Sequence, residues 1–503
     1  MKEKKELIKR DKREWINYLI MLIAITILGL ICLCASPFWK GILHNDFCVF
    51  QIMGKALLTN KTIYKELFDH KGPVIYVIHA IGILINENYG MLLVEILAVF
   101  IGSVFVYKTS KFFLNNITSL LVSIMFIAFI FIPISNGGYT EDFACVFSAI
   151  GLYYIIKIMY NEEIENKLNW IIIGLTFSLN LFIKPTYVSL WIAFAIVALI
   201  KLIKNKQLKQ LLKGILFAII GVVIVAIPII IYLLAKDCVK DFWDAYIGMN
   251  MKYSHSTLKE KVTAFLFLIK RGYYIVFILI ILGNILLLFN KKLKKDIKTF
   301  ILIYFITTVL LTAVAPNAYQ HYLIQCATML ATETLLIFYS IQPFRDGEIN
   351  KFIYYIIIFT VILITLLYNL KNGDTIFDER KYRDGEEIRG VLDKISTMIN
   401  VDEDECLSIG NYPYVYRYIN IYPKYKYFFQ FPIGISDKTI GEETLKYIKE
   451  RKPSAVVNGS LGKKDLNKIF EENLDDFMEE DYDRYVEGNI IYYILKQNKG
   501  ENK

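Results

Sequence analysis

The chain has 503 residues, 55% of them hydrophobic, with a mean hydropathy of +0.42. Such a composition excludes an ordinary soluble protein and predicts a multi-span membrane protein. The net charge of +9 is carried by lysines in short loops between apolar runs, a pattern that sets membrane topology and gives no reason to expect nucleic acid as a partner. Seven cysteines, at 32, 34, 48, 145, 238, 326 and 406, form no C-x-x-C pair, so buried thiols are expected rather than disulfides or zinc.

The basic flank 1–13 precedes an apolar run at 15–35 that has no small-residue cleavage site. It reads as a first span, with the N-terminus cytoplasmic and the next loop outside. That loop gathers Asp46, Lys55, Lys61, Lys65, Glu66, Asp69, His70 and Lys71. Asp46, Phe50, Met53 and Leu57 recur at helical spacing, which predicts an amphipathic helix lying on the membrane with Asp46 near its start. Asp69, His70 and Lys71 then meet Gly72-Pro73, a turn and helix-start signal where anions are favoured.

The apolar piece 74–85 is too short to cross a bilayer and is expected to stay outside as an interfacial or re-entrant helix. Spans follow at 89–107, 117–134 and 143–159, with Gly137, Gly138, Glu141 and Asp142 in an outer loop. The run 170–200 has basic residues at both ends and is broken by Lys184-Pro185, which predicts two short spans folded as a hairpin with Lys184 at the outer tip. Further spans at 212–235, 272–289, 300–314, 323–341 and 352–370 bring the count to about eleven. Every loop assigned to the cytoplasm then bears lysine or arginine, and the loops of Asp46, Glu141, Asp237 and His321 fall on one side.

From 371 the composition turns charged and turn-rich, and strand-like runs appear at 405–410, 454–459 and 490–495. Helical patterns occupy 388–399 and 442–449. The expected organisation is a polytopic α-helical membrane domain over 1–370 and a small extracytoplasmic α/β domain over 371–503. A tyrosine-rich stretch, 412–427, interleaves rings with Arg417, Lys424 and Lys426, a mixture suited to stacking on sugar, to resting on headgroups or to plain packing.

Asp46, its amphipathic segment, Tyr64 and the run Phe68-Asp69-His70-Lys71-Gly72-Pro73 resemble the first extracytoplasmic loop of bacterial GT-C glycosyltransferases of the protein mannosyltransferase and aminoarabinose transferase branch. The likeness covers the membrane half in layout and is motif-specific in only a few places. It implies a GT-C-like fold in which the loop aspartate, here Asp46, is catalytic, and the lysine before Gly-Pro, here Lys71, meets the phosphate of a polyprenyl-phosphate sugar. The aminoarabinose branch carries an acidic residue just before that lysine, where this chain has His70. The resemblance further implies a sugar- or acceptor-side role for Glu141 and a substrate-side role for His321-Tyr322.

Sugar transfer from a polyprenyl phosphate needs a base near the acceptor and a cation on the leaving phosphate, and Asp46 and Lys71 meet that minimum. Each candidate also has a plain structural reading. Asp46 could cap the helix that starts at Phe47, Asp69 could cap the one after Lys71 or act as a second acid, and one of Glu141 and Asp142 could cap the span they precede. His70 could donate to phosphate or simply be hydrogen-bonded, and Lys184 could snorkel or bind a lipid phosphate. No cofactor is obligatory, and a divalent metal would draw on Asp46, Glu141 or His70 without tight ligand spacing. The expected function is a glycosyltransferase acting on a lipid, glycan or protein acceptor. The competing readings are a transporter or flippase of lipid-linked saccharide and a non-catalytic envelope-assembly subunit.

Overall fold

The computed structural model describes residues 14–131, 136–204, 208–270, 274–314, 319–342, 350, 352–356, 359–360, 362–363, 375–459, 463–470 and 473–496. The basic flank at 1–13, the outer-loop residues 316–318 and most of the last expected span lie outside the described residues. The chain divides into two compact units, one of Met1–Pro37, Met91–Ile229 and Ser256–Thr375, the other of Phe38–Gly90, Ile230–His255 and Ile376–Lys503.

The first unit is helical and apolar. Among the described residues of the whole chain, five helices are long and apolar enough to cross a membrane: Glu14–Cys32, Gly90–Ser110, Thr140–Asn161, Lys209–Ala235 and Gln320–Ile341. Asn116–Phe131, Pro185–Lys201 and Val276–Phe289 are apolar but shorter. Large aliphatic side chains stand exposed along these helices, as Leu216 does at 63%, which only a hydrocarbon solvent tolerates in such number. The chain is thus a multi-pass membrane protein.

Helices of this unit pack in neighbouring pairs, Thr140–Asn161 on Lys167–Leu181, Ser189–Lys204 on Lys295–Thr312, and Tyr274–Phe289 on Ala327–Ile341. Lipid tails are as apolar as leucine, so close backbone approach has to supply the attraction. Gly174 and Gly221 show such an approach between Lys167–Leu181 and Leu208–Ala235: a Cβ on Gly174 would lie 1.9 Å from the Ala218 carbonyl oxygen, and one on Gly221 would lie 2.0 Å from that of Ile171.

The expected hairpin break is present. Lys167–Leu181 ends, Lys184 adopts extended backbone (φ −161°, ψ 128°), and a short 3₁₀ turn, Pro185–Val188, leads into Ser189–Lys204. A residue before proline is pushed out of the helical region by the pyrrolidine ring, so the break belongs to the Lys184-Pro185 dipeptide. Asn180 then pins the turn by donating from Nδ2 to Ala144 O (3.1 Å), Ser148 Oγ (2.9 Å) and Tyr187 O (3.2 Å).

The second unit contains a helix at the expected place, Asn45–Leu58, but Phe47 to Gly54 are buried without a break, so it is packed on all sides and not an amphipathic helix with one wet face; the short helix Pro73–Ile85 follows. At 13 residues the latter is about 20 Å long, against roughly 30 Å of hydrocarbon. The two pack closely because Gly54 carries no side chain; a Cβ there would sit 2.8 Å from Ala80 N. Phe47 and Phe50 close the contact around His79, with ring centroids 5.3 and 5.6 Å away.

The C-terminal part of this unit carries a four-stranded sheet: β1 (Cys406–Ile409), β2 (Ala455–Asn458), β3 (Tyr482–Glu487) and β4 (Ile490–Leu495), in the order β1-β2-β4-β3. β1 and β2 are parallel, and the other two pairs are antiparallel. Leu407, Ile409, Val456, Phe470, Met478 and Tyr493 belong to its core. Three of the strands match the apolar runs in the sequence. The fourth, β3, escapes such a reading because four of its six residues are exposed and it shows no apolar alternation. The tight turn that pairs it with β4 has Gly488 at φ 55°, where a glycine is at ease.

Candidate functional site

The residues singled out from the sequence, Asp46 apart, fall in two polar clusters, one in each unit. In the second unit, Asp46 lies in the first turn of Asn45–Leu58 but does not cap it. The cap is His44, whose Nδ1 accepts from Phe47 N at 3.1 Å. Asp46 is half-buried and takes no hydrogen bond or ion pair from any described residue. The capping reading of Asp46 is therefore corrected: an imidazole two positions earlier already satisfies the helix start.

Asp69 does not cap the following helix either, since Gly72 is the N-cap and Pro73 stands at its first positions. Instead Asp69 is 2% exposed and faces His70. Its Oδ1 accepts from His70 N (2.7 Å) and lies 3.3 Å from His70 Nδ1, while Oδ2 accepts from Tyr76 OH (2.8 Å). Lys71 Nζ lies 2.6 Å from His70 Nε2. An ammonium can only donate, so Nε2 accepts and the ring proton belongs on Nδ1, toward Asp69. The three consecutive side chains thus form a row, carboxylate, neutral imidazole and ammonium, that ends on the cation.

The backbone of the row is held from elsewhere. Tyr64 OH donates to Lys71 O at 2.9 Å, and Asn250 Nδ2 donates to His70 O at 2.6 Å. Tyr253 lies against the imidazole, with centroids 5.6 Å apart. Tyr64 reaches its carbonyl from a left-handed backbone (φ 69°), a strain of about 1–3 kcal/mol that its full burial sustains. Asn250 and Tyr253 come from 239–254, which the sequence offered only as a loop and which forms short helical pieces, among them the π-helical Trp243–Met249. No periodicity signals such a piece; its wider turn is a feature found often at functional sites.

Burial works against the charge of Asp69, but the His70 side chain, the Lys71 ammonium and the Tyr76 hydroxyl outweigh it and hold the carboxyl below its ordinary value of 3.8. A depressed carboxyl stabilises the fold fully above that ordinary value and loses the contribution as pH falls through the folded one. Thermal unfolding in detergent should therefore steepen in its loss of stability below about pH 4, and Asp69→Asn should flatten that acid limb. An unchanged limb in the variant would place the acid sensitivity elsewhere.

In the first unit the structure brings together residues from three separate stretches. The helix Thr140–Asn161 is capped by Tyr139, whose backbone N donates to Asp142 Oδ2 at 2.9 Å. Asp142 is thus the capping carboxylate, and Glu141 is left for other work. Glu141 is 1% exposed. Its Oε1 accepts from Tyr187 OH and lies 3.5 Å from Lys184 Nζ, and its Oε2 accepts from Thr140 Oγ1 at 2.8 Å. Lys184 is largely covered instead of snorkelling, with its ammonium 4.1 Å from the Tyr322 ring centroid and 5.3 Å from that of Tyr187. His321 stacks on Tyr139 at 4.7 Å and 14° and meets Tyr322 edge-on at 4.8 Å.

Glu95 supports this arrangement from the neighbouring helix. Its Oε2 accepts from Gly138 N at 2.9 Å, and a Cβ on Gly137 (φ 82°) would lie 2.5 Å from that oxygen, so only glycine lets the turn close on the carboxylate. Nothing in the sequence marks Tyr187 or Tyr139 as members of the cluster, and Glu95, which its sequence position offers as an interfacial carboxylate or a lysine's partner, instead accepts from Gly138 N. The Gly137-Gly138 pair was the one local signal, while the partner that pins it comes from far along the chain. Among the described residues no group of three or more His, Cys, Asp or Glu side chains is gathered that could hold a metal ion.

The fold is similar to that of solved GT-C glycosyltransferases. The chain resembles ArnT from Cupriavidus metallidurans, solved bound to undecaprenyl phosphate, with a TM-score of 0.58 and 6% identity over 96% of this chain and 98% of that one. It also resembles the archaeal oligosaccharyltransferase AglB from Archaeoglobus fulgidus, solved with an inhibitory peptide and a dolichol-phosphate, with a TM-score of 0.55 and 10% identity over 98% of this chain and 76% of that one. At such identities the likeness is one of fold. Residues 5–351 match a family model, and the chain belongs to the competence-induced protein Ccs4 N-terminal domain family. No curated protein matches its sequence.

Proposed function

We propose that the chain is a membrane glycosyltransferase that takes a sugar from a polyprenyl-phosphate donor and passes it to a cell-envelope acceptor, a lipid, glycan or protein, on the extracytoplasmic face. The observation that carries this reading is the Asp69–His70–Lys71 row, which buries a carboxylate behind a neutral imidazole and leaves an ammonium at its end. The GT-C fold and the two lipid-phosphate-bound neighbours support it.

In the reaction the acceptor oxygen bonds to the anomeric carbon as the bond from that carbon to the phosphate oxygen breaks. The electron pair leaves with the phosphate, where Lys71 offers its charge. His70 holds the ammonium in place, and Asp69 keeps the imidazole in the accepting tautomer. Asp46, which has no hydrogen bond or ion pair among the described residues, takes the proton from the acceptor hydroxyl. In the first unit Lys184 meets a lipid phosphate, Glu141 holds Lys184 in position and orients substrate, and His321 and Tyr322 offer ring faces and edges to the substrate. The N-terminus is cytoplasmic on this reading, and the C-terminal α/β domain lies outside.

In cells lacking the protein, mass spectrometry should find a polyprenyl-phosphate sugar accumulating and one envelope component missing that sugar. Purified protein that moves an intact lipid-linked saccharide across vesicles without consuming it would replace this reading with the transporter. Lys71→Gln should lower turnover of the donor by ~10²–10³-fold, the usual loss when one charge-stabilising donor is removed. Stopped assays with radiolabelled donor measure it, and a variant that keeps wild-type turnover removes Lys71 from the chemistry.

A further inference from the structure

A cavity of about 60 Å³ opens in the second unit, beside the helix Asn45–Leu58. Gln51, Lys55, Glu87, Arg417, Asn420 and Tyr422 are among the residues that line it. Glu87 is shared by two cations: its Oε1 lies 2.9 Å from Lys55 Nζ and 3.5 Å from Arg417 Nη1. Arg417 Nη2 also donates to Glu87 O at 3.1 Å. One carboxylate set against two permanent cations leaves the wall with a single positive charge to spare.

Gln51 adds a second, independent sign of a ligand. It is only 5% exposed, and its Nε2 donates to Glu87 O at 3.4 Å. Its Oε1 is buried and has no hydrogen-bond partner among the described residues. A buried acceptor left unpaired costs about 1–3 kcal/mol, so a donor is wanted there. Tyr422 is fixed by its hydroxyl, which donates to Ile52 O at 3.3 Å and so sets its ring in the wall. The closed part has room for about four to six waters, at ~10–15 Å³ each. That is space for one phosphate or carboxylate group and its nearest hydroxyl, with the remainder of a ring lying against the tyrosine.

We propose that this cavity binds an anionic sugar unit, phosphorylated or carboxylated, with the acidic group on Lys55 and Arg417 and a hydroxyl donating to Gln51 Oε1. The proposal concerns binding alone and does not rest on glycosyl transfer. It gives the tyrosine-rich segment a function that its sequence pattern left open between sugar, headgroup and packing.

The test is calorimetry on the full chain in detergent micelles with glucose 1-phosphate, glucuronate, glucose and inorganic phosphate. The two acidic sugars should bind, and glucose and inorganic phosphate should each bind at least about tenfold more weakly, the worth of one charge-assisted contact. Lys55→Gln should weaken the acidic sugars about tenfold, and Arg417→Gln by as much or more. Gln51→Met should bring glucose 1-phosphate and inorganic phosphate closer together. Lys55→Gln keeps the tie between Arg417 and Glu87, so it remains informative if the arginine variant fails to fold. Glucuronate, which has no phosphate for the donor row to hold, should lose as much as glucose 1-phosphate in Lys55→Gln, which separates this cavity from that row. Inorganic phosphate binding as tightly as glucose 1-phosphate would overturn the proposal. So would no binding by either acidic sugar, or acidic-sugar affinities left unchanged by Lys55→Gln.

Discussion

Asp46→Asn should abolish most sugar transfer while the protein stays folded and still binds its lipid. The aspartate sits in the first turn of a helix already capped by His44, and no described residue bonds or pairs with it. The substitution therefore removes no hydrogen bond or ion pair among the described residues. It forfeits only the attraction of a carboxylate for the helix N-terminus, about 0.3–1 kcal/mol. A general base contributes ~10²–10⁴-fold to a rate, and the loss should fall in that range. Single-turnover assays with donor in excess of its Kd separate chemistry from binding. A transporter with the same fold would be little altered by the change. A variant that transfers sugar at the wild-type rate would end the assignment of Asp46 as the base.

Lys184→Met should destabilise the protein by about 3–5 kcal/mol, the usual consequence of stranding a buried charge. Glu141 has almost no exposure, and Lys184 is the cation that stands 3.5 Å from its Oε1. Tyr187 and Thr140 still donate to the carboxylate in the variant, but neither carries a charge. Glu141→Gln strands the Lys184 ammonium in turn but should cost less, because Lys184 is 14% exposed against 1% for Glu141 and keeps the ring faces of Tyr322 and Tyr187. The double variant should then recover most of the loss, and the coupling between the two positions is the quantity to measure. Unfolding in mixed micelles of the wild type, both single variants and the double variant gives that cycle. Additive losses would show that the ion pair is not what holds the Lys184 turn against the helix Thr140–Asn161.

Several elements of this protein are set by short-range rules and are legible without coordinates. Among the described residues, most apolar runs become helices of the first unit with ends within about five residues of those read from hydropathy, whereas Leu258–Lys270 forms a helix in a stretch read as an outer loop; Lys184-Pro185 breaks the hairpin where proline forbids a continuous helix. Gly72-Pro73 starts a helix, and three apolar runs become β1, β2 and β4. The exposed strand β3 and the π-helical turn before Asn250 carry no comparable pattern.

Which of several neighbouring polar side chains caps a helix, and which distant donor meets a buried carboxylate or amide, was decided by the tertiary structure. His44, not Asp46, caps its helix, and Asp142, not Glu141, completes the capping of the next. Tyr187 and Lys184 reach Glu141 from some forty residues away in sequence, and Asn250 reaches His70 from 180. Hydrophobic periodicity and proline act within about one helical turn and so are written in adjacent residues. A buried carboxylate or amide takes whichever donor the packing of distant helices delivers, and no local pattern encodes that delivery.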